Sequence, residues 1–150
     1  MTAVRAVAAA DREQWLGLWS EWQAHMEGRV PEDVSRRSFD MMVTAHSGLR
    51  GLMAFDGGGR ALGFATVSTT PFAWTGGPVL FLQDLFVSAA ARGAGVGRDL
   101  LRAVYGLSDD LGCEQVFWFV DEGNVRLQQF YESEGIRTPF LRFMRGPWPW

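Results

Sequence analysis

The stretch of sequence that decides the fold reads Phe81-Leu-Gln-Asp-Leu-Phe-Val-Ser-Ala-Ala-Ala-Arg-Gly-Ala-Gly-Val-Gly-Arg98. Its apolar first part, which ends at Val87, predicts a β-strand. Three alternating glycines follow at 93, 95 and 97, and the pattern from Asp99 to Leu111 predicts a helix. A glycine loop between a strand and a helix start leaves backbone N–H groups free to bind a phosphate. The sequence therefore predicts a ligand that carries phosphate.

The sequence on either side of this stretch predicts alternating strands and helices. The further predicted strands are Val4–Ala8, Leu49–Phe55, Leu62–Ser68, Gln115–Val120 and Thr138–Arg145. The further predicted helices are Asp11–His25, Pro31–Val43 and Val125–Glu134. The run Val-Phe-Trp-Phe-Val at 116–120 is typical of a strand buried on both faces, as in a parallel pair. We expect this strand to complete a right-handed βαβ unit with the central strand and its helix.

Length and composition limit the function classes. At 150 residues the chain is expected to form one domain, residues 1–150. Its net charge of −3 argues against a nucleic-acid partner, because such domains normally carry a basic face. The single Cys113 excludes an intramolecular disulfide, and His25 and His46 show no metal-binding pattern, so surface or capping roles are expected for them. Met1 to Trp15 has no long apolar run, which favours a cytoplasmic protein without a membrane segment.

Three classes of phosphate ligand compete for the glycine loop, and spacing separates them. A nucleoside-triphosphate loop requires a Lys that is absent after Gly97. A dinucleotide fingerprint fits poorly, because Arg98 occupies its third glycine position and only one βαβ unit is predicted. The remaining class is the pyrophosphate loop Gln/Arg-x-x-Gly-x-Gly/Ala, which matches Arg92 to Gly97.

With this loop, the chain resembles the GCN5-related N-acetyltransferase superfamily. The accompanying motifs are Leu82 to Val87, the helix start at Arg98, then Asn124, and Phe130-Tyr-Glu-Ser-Glu-Gly135. The segments at 82–87 and 122–124 are most similar to the branch of yeast histone and polyamine acetyltransferases. The resemblance implies an α/β fold with a mixed, mostly antiparallel sheet whose central strands splay apart between flanking helices.

The resemblance also implies that acetyl-coenzyme A is the co-substrate and that no metal is needed. The backbone around Phe86 and Val87 would hold the pantetheine arm, and the glycine loop would hold the pyrophosphate. The implied cofactor-binding residues are Leu85, Phe86, Val87, Arg92, Gly93, Ala94, Gly95, Val96, Gly97, Arg98, Asn124 and Tyr131. Tyr131 is the implied general acid, because a phenol can protonate the departing thiolate.

At the position of the general base the chain departs from the family pattern. Gln83 stands where many relatives have Glu, and an amide cannot accept a proton from an ammonium group. Asp84 is adjacent, but strand alternation turns it to the opposite side unless a bulge redirects it. Glu122 and Asp121 lie beyond the next strand and could act through water. Asp84, Glu122 and Asp121 therefore remain candidate bases.

The expected acceptor is a small primary amine, such as a polyamine or an amino-acid-like amine. Trp22, Trp74 and Gln83 are the candidate substrate-binding residues, since the first helices and the loop before the central strand form the acceptor pocket in this superfamily. An acyl-coenzyme A sensor with little turnover is the alternative that Gln83 motivates. A homodimer is also considered, with Trp148 and Trp150 of the C-terminal tail as docking residues.

Overall fold

Five strands form one sheet in the order β1-β2-β3-β4-β5 in a computed structural model that describes residues 2–146. The strands are β1 (Ala3–Ala6), β2 (Leu49–Phe55), β3 (Ala61–Pro71), β4 (Pro78–Val87) and β5 (Val116–Phe117). The first four strands pair antiparallel, and β5 pairs parallel to β4. The predicted mixed and mostly antiparallel sheet is therefore confirmed.

Four α-helices flank the sheet close to their predicted positions. They are α1 (Arg12–His25), α2 (Glu32–Val43), α3 (Val96–Asp110) and α4 (Val125–Glu134), with short 3-10 turns at Ala9–Asp11 and Ala89–Ala91. Asp11 precedes α1 as predicted, but its carboxylate accepts hydrogen bonds from Ala8 N at 2.8 Å and from Arg5 instead of capping the helix. The strand β4, the helix α3 and the strand β5 form the predicted βαβ unit.

Two apolar clusters cover the two faces of the sheet. On one face Leu100, Leu101 and Val104 of α3 are fully buried against β2, β3 and β4. On the other face the aromatic side of α1 and Phe39 of α2 pack against β2, β3 and Phe86 of β4. Trp15 is fully buried there and stacks on Trp19 with 5.2 Å between ring centroids. Because each face is covered by helices, β4 lies between two layers.

The C-terminal third departs from the prediction. The strand expected at Gln115–Val120 is only two residues long, and Phe119 is 51% exposed. The prediction of a strand buried on both faces was therefore wrong. The strand expected at Thr138–Arg145 was also wrong, since residues 136–146 contain no helix or strand. A strand forms only where its backbone pairs with a neighbouring edge, and β5 ends at Phe117, too early to provide one. The predicted tail residues Trp148 and Trp150 lie outside the described residues.

Within residues 2–146, each helix is too short or too polar to cross a lipid bilayer.

Candidate active site at the bulge of β4

The centre of the candidate site is a β-bulge in β4. On β3, Thr66 pairs with Asp84 and the next residue, Val67, pairs with Leu82, so Gln83 is an extra residue without a partner. Leu82 and Leu85 both pack on the α3 face although they are three residues apart. The bulge therefore turns Asp84 away from α3 and toward α1, as strand alternation alone would not.

Asp84 accepts a hydrogen bond from a tryptophan of α1. The distance from Trp22 Nε1 to Asp84 Oδ1 is 3.0 Å. Asp84 keeps some solvent exposure, yet loss of hydration is the largest influence on its carboxyl and raises its pKa. The Trp22 N–H opposes this rise, and so does the Thr66 hydroxyl, although the latter lies outside standard hydrogen-bond geometry. The site thus holds a carboxylate that binds protons more readily than a surface Asp.

Beyond the bulge, β4 and β5 part. The parallel ladder joins only Leu80 to Val116 and Phe81 to Phe117. In the described part of the chain, no ladder pair connects residues 82–87 of β4 with the segment that follows Phe117. That β4 edge is thus open to an extended amide-containing group, which fits the pantetheine arm of coenzyme A.

A cavity of about 600 Å³ opens at the C-terminal end of α1. It lies between the end of α1, at His25 and Met26, and the turn that leads into α4. Asp121, Asn124 and Arg126 contribute polar side chains to its wall. His25 was expected to have a surface or capping role; it is exposed, but it also lines this cavity, and its ring centroid is 6.3 Å from that of Phe86 on β4.

The glycine loop has the backbone geometry that a phosphate site needs. Gly93 and Gly95 have φ values of 84° and 83°, and Gly95 is the N-cap of α3. Nothing lies within 4 Å of the position that a Cβ would occupy at either glycine. Such positive φ values favour glycine, and the open space allows a ligand to approach the backbone closely. The loop and the first turn of α3 therefore fit a pyrophosphate group.

The two arginines that flank the loop both make contacts within the protein. Arg92 Nε donates to Val87 O at 3.2 Å and ties the loop to the end of β4. Arg98 Nε lies 2.5 Å from Glu134 Oε1 of α4, and its guanidinium lies over Phe130. Phosphate binding by either guanidinium stays a prediction, and Arg98 would have to share its charge with Glu134.

Tyr131 lies on α4 in an aromatic setting. Its ring centroid is 5.3 Å from those of Trp118 and Phe130. Burial, with a smaller contribution from Tyr105, raises the pKa of the Tyr131 phenol to about 12. The phenol is therefore protonated at neutral pH, which is the form required of a proton donor. Asn124 holds the start of this helix, because its Oδ1 accepts from Leu127 N at 3.1 Å.

The structure brings some of the predicted acceptor residues together and leaves others apart. Trp22, Gln83 and Asp84 meet at the bulge, where Gln83 is exposed and donates to Ser68 Oγ at 2.9 Å. Trp74 is 92% exposed in the turn between β3 and β4. The side chain of Glu122 is exposed, and only its carbonyl is engaged, by Gln128 Nε2 at 2.7 Å.

The sequence alone did not predict the hydrogen bond between Trp22 and Asp84 or the position of His25 in the cavity wall. The helical spacing of Trp15, Trp19 and Trp22 marks an aromatic face, but no local pattern shows which indole N–H meets a carboxylate. That pairing joins side chains 62 residues apart in the sequence.

Known proteins share both the sequence and this architecture. The model of the acetyltransferase (GNAT) family matches residues 13–136. The D-amino-acid N-acetyltransferase HPA3 of Saccharomyces cerevisiae is 34% identical over 144 residues, which cover 95% of this chain and 89% of HPA3. The aminoglycoside N-acetyltransferase AAC(6')-Iy, solved with coenzyme A, is 25% identical with a TM-score of 0.82, and the match covers 97% of this chain and 95% of that one.

A probable acetyltransferase of known structure superposes with a TM-score of 0.86 at 17% identity, over 97% of each chain, and this likeness bears on the fold alone. The family match and the yeast relative confirm the resemblance inferred from the glycine loop and its accompanying motifs. The chain belongs to the GNAT acetyltransferase family, and it is an N-acetyltransferase that uses acetyl-coenzyme A.

Proposed function

We propose that this enzyme acetylates the primary amine of a small, amino-acid-like molecule by direct transfer. The observation that carries the proposal is the carboxylate of Asp84, which the bulge turns toward α1 at the point where β4 parts from β5. A base in this position can take the proton that an ammonium substrate must lose before its nitrogen attacks. The yeast relative, whose name describes a D-amino-acid N-acetyltransferase, supports the same substrate class.

The charges around the cavity favour an amino acid over a polyamine. Arg126 lines the cavity and has no acidic partner among residues 2–146, so it can bind a carboxylate but repels a polycation. Asp121 lines the same cavity, and its Oδ1 accepts from Gly123 N at 2.6 Å. A molecule that carries both an ammonium and a carboxylate group therefore matches this wall better than one with ammonium groups alone.

Acetyl-coenzyme A, when bound, supplies the acetyl group as an activated thioester. In the proposed reaction Asp84 accepts one proton from the substrate nitrogen, while a C–N bond forms at the acetyl carbonyl and the C–S bond breaks. Tyr131 donates its phenolic proton to the sulfur that leaves, and the resulting phenolate takes the second proton from the acylated nitrogen, so that the products are an amide and a thiol. Glu122, acting through water, is the rival base. Asp84 is preferred because its pKa is raised by burial, whereas the Glu122 carboxylate is exposed.

The backbone supplies the proposed cofactor contacts. The open edge of Leu85, Phe86 and Val87 pairs with the amides of the pantetheine arm. The N–H groups from Gly93 to Gly97 bind the pyrophosphate at the start of α3, where the helix dipole also favours negative charge. Because these are main-chain contacts, they depend on the loop geometry rather than on individual side chains.

The test is thiol release from acetyl-coenzyme A with a panel of D- and L-amino acids, polyamines and an aminoglycoside. We expect kcat/KM for the best amino acid to exceed that for every polyamine by about tenfold or more. The reason is that a site which pairs with a substrate carboxylate discriminates at least that strongly against a substrate without one. A matched pair, an amino acid and its decarboxylated amine, isolates the carboxylate. Equal rates for this pair would contradict the proposed substrate class.

We also propose that the enzyme is cytoplasmic and forms a homodimer. The support for a dimer is the segment 136–146, in which Ile136, Phe140, Leu141 and Phe143 are each more than 80% exposed. So many exposed apolar side chains in one segment are typical of an interface. Light scattering on the purified chain should give twice the monomer mass, and a monomer at micromolar concentration would contradict the dimer.

A further inference from the structure

The three tryptophans of α1 use their indole N–H groups differently. Trp19 Nε1 donates to Ser35 Oγ of α2 at 2.9 Å. Trp15 Nε1 is buried and has no hydrogen-bond partner among the described residues. Trp22 Nε1 alone of the three donates to an ionisable group, the carboxylate of Asp84. One side chain of α1 is therefore in a position to influence the chemistry of β4.

Aromatic packing supports the Trp22 ring. Its centroid lies 5.4 Å from that of Phe86 and 5.8 Å from that of His25, and the His25 ring is nearly parallel to it. In this packed orientation the indole N–H points at Asp84. The hydrogen bond engages Asp84 Oδ1, and Oδ2 has no standard hydrogen bond within residues 2–146. The carboxylate is thus anchored through one oxygen while the other stays available to a proton.

The charged groups near Asp84 are occupied elsewhere. On α1, both carboxylate oxygens of Glu21 accept from the Ser88 hydroxyl, and the exposed His25 stacks on Trp22. From the glycine loop, Arg92 reaches over Phe86 and donates to Val87 O. On β3, Thr66 faces Asp84 with an uncharged hydroxyl. Burial raises the pKa of Asp84, and the two uncharged donors, Trp22 and Thr66, oppose that rise.

We propose that Trp22 is a positioning residue for the proton acceptor: its indole N–H fixes the orientation of the Asp84 carboxylate at the bulge and stabilises its ionised form. This inference rests on the proposed role of Asp84 as the general base. In a partly desolvated site, a hydrogen bond to a charged oxygen is stronger than one between neutral groups. Trp22 therefore keeps Asp84 ionised at a pH where burial alone would leave more of it protonated.

The test is the pH profile of kcat/KM for Trp22→Phe, which retains an aromatic ring but removes the N–H donor together with part of the indole volume. Loss of the donor raises the pKa of Asp84, so the acidic limb should move to higher pH by about one unit. The KM for acetyl-coenzyme A should not change. The matched control is Trp19→Phe, the same substitution one turn earlier in α1, and its acidic limb should coincide with that of the wild type.

A second measurement does not depend on the folding of a variant. In a ¹⁵N–¹H spectrum of the wild-type enzyme, the indole signal of Trp22 should shift with pH at the midpoint of the acidic limb, because the charge on its acceptor changes there. The Trp19 indole signal should not titrate. A Trp22 signal that stays constant through the acidic limb would overturn the proposal.

The variant Asp84→Asn distinguishes a failure of the role proposed for Asp84 from a failure of the role proposed for Trp22. If this variant keeps the full rate and the acidic limb, Asp84 is not the base, and the assignment under the proposed function fails. If the variant loses the limb while Trp22→Phe leaves the limb in place, Asp84 is the base and the positioning role of Trp22 fails. Loss of the limb in Asp84→Asn together with its upward shift in Trp22→Phe is the expected result.

Discussion

The proposed cofactor side and the proposed acceptor side of β4 are built in different ways. On the cofactor side, one continuous stretch from Leu85 to Arg98 forms the open strand edge, the glycine loop and the helix start. On the acceptor side, Asp84 depends on Trp22, which lies 62 residues earlier in the chain. The cofactor side uses backbone groups and local conformation, whereas the acceptor side uses side chains that only the folded chain brings together.

This difference explains why the sequence alone identifies the cofactor but not the proton acceptor. Backbone recognition of a phosphate requires particular φ values, and glycine is the residue that adopts them at little cost. A proton acceptor needs only a carboxylate in the right environment, and that environment is supplied by distant residues. Substitutions on the two sides should therefore differ in kind: those near the bulge alter rate and pH dependence, and those in the loop alter stability and cofactor affinity.

The largest expected effect is that of Tyr131→Phe, which should lower kcat by about 10²-fold or more because it removes the proton donor to the leaving sulfur. Acetyl-coenzyme A should still bind, as measured by thermal shift or calorimetry. Since the pKa of Tyr131 is about 12, its ionisation should produce no basic limb below about pH 11 in the wild-type profile.

The matched control is Tyr105→Phe. The Tyr105 hydroxyl donates to Glu134 O at 2.7 Å and lies outside the proposed chemistry. Unchanged turnover in Tyr131→Phe would remove this residue from the mechanism.

Next, Asp84→Asn should lower kcat/KM by about 10²-fold at neutral pH and abolish the acidic limb. Because burial raises the pKa of Asp84, the wild-type rate should fall on the acidic side at a pH above the usual Asp value of about 3.9, as the base becomes protonated. Glu122→Gln, measured in parallel, should stay within about twofold of the wild type, since an exposed side chain outside the reaction contributes little. A large loss in Glu122→Gln with a normal Asp84→Asn would assign the proton acceptor to Glu122 instead of Asp84.

On the cofactor side, Gly95→Ala should destabilise the protein by about 1–2 kcal/mol, because it forces an L-residue into the left-handed region at φ 83°. Gly97→Ala is the matched control, since Gly97 is not at positive φ and a Cβ there would lie 3.7 Å from Val87 Cγ2, an ordinary contact. Gly97→Ala should raise the free energy of unfolding by about 0.4–1 kcal/mol, because Ala has less conformational entropy than Gly in the unfolded chain. Denaturant titrations of the apoproteins give both values, and equal effects in the two variants would contradict the strain argument.

The smallest expected effect is that of Arg98→Gln on stability. The Arg98 side chain is 45% exposed, and ion pairs in such positions contribute about 0–1 kcal/mol after solvent screening. The same variant tests whether Arg98 also binds phosphate. If it does, the dissociation constant of acetyl-coenzyme A should rise and its salt dependence should weaken, whereas a pairing with Glu134 alone leaves both unchanged.

Much of the fold follows from local patterns. The boundaries of α1, α2 and α4 agree with the predicted ones to within one or two residues, because caps and helical spacing are local signals. The hairpin of β2 and β3 is closed by a local turn at residues 56–60, in which Asp56 Oδ1 accepts from Gly58 N and Arg60 N. The C-terminal strands were not predicted correctly, because strand formation at 118–120 and 138–145 requires a neighbouring edge that local sequence does not encode.

By itself, the sequence determined the cofactor and the family, since the glycine loop, its helix and the motif around Tyr131 are contiguous segments whose residue types reflect backbone geometry. Only the tertiary structure decided how Asp84 is oriented and how readily it is protonated. The bulge depends on the register between β3 and β4, and the hydrogen bond to Trp22 depends on the packing of α1. Register and packing arise from contacts between distant residues, so the chemistry of this carboxylate becomes visible only in the folded chain.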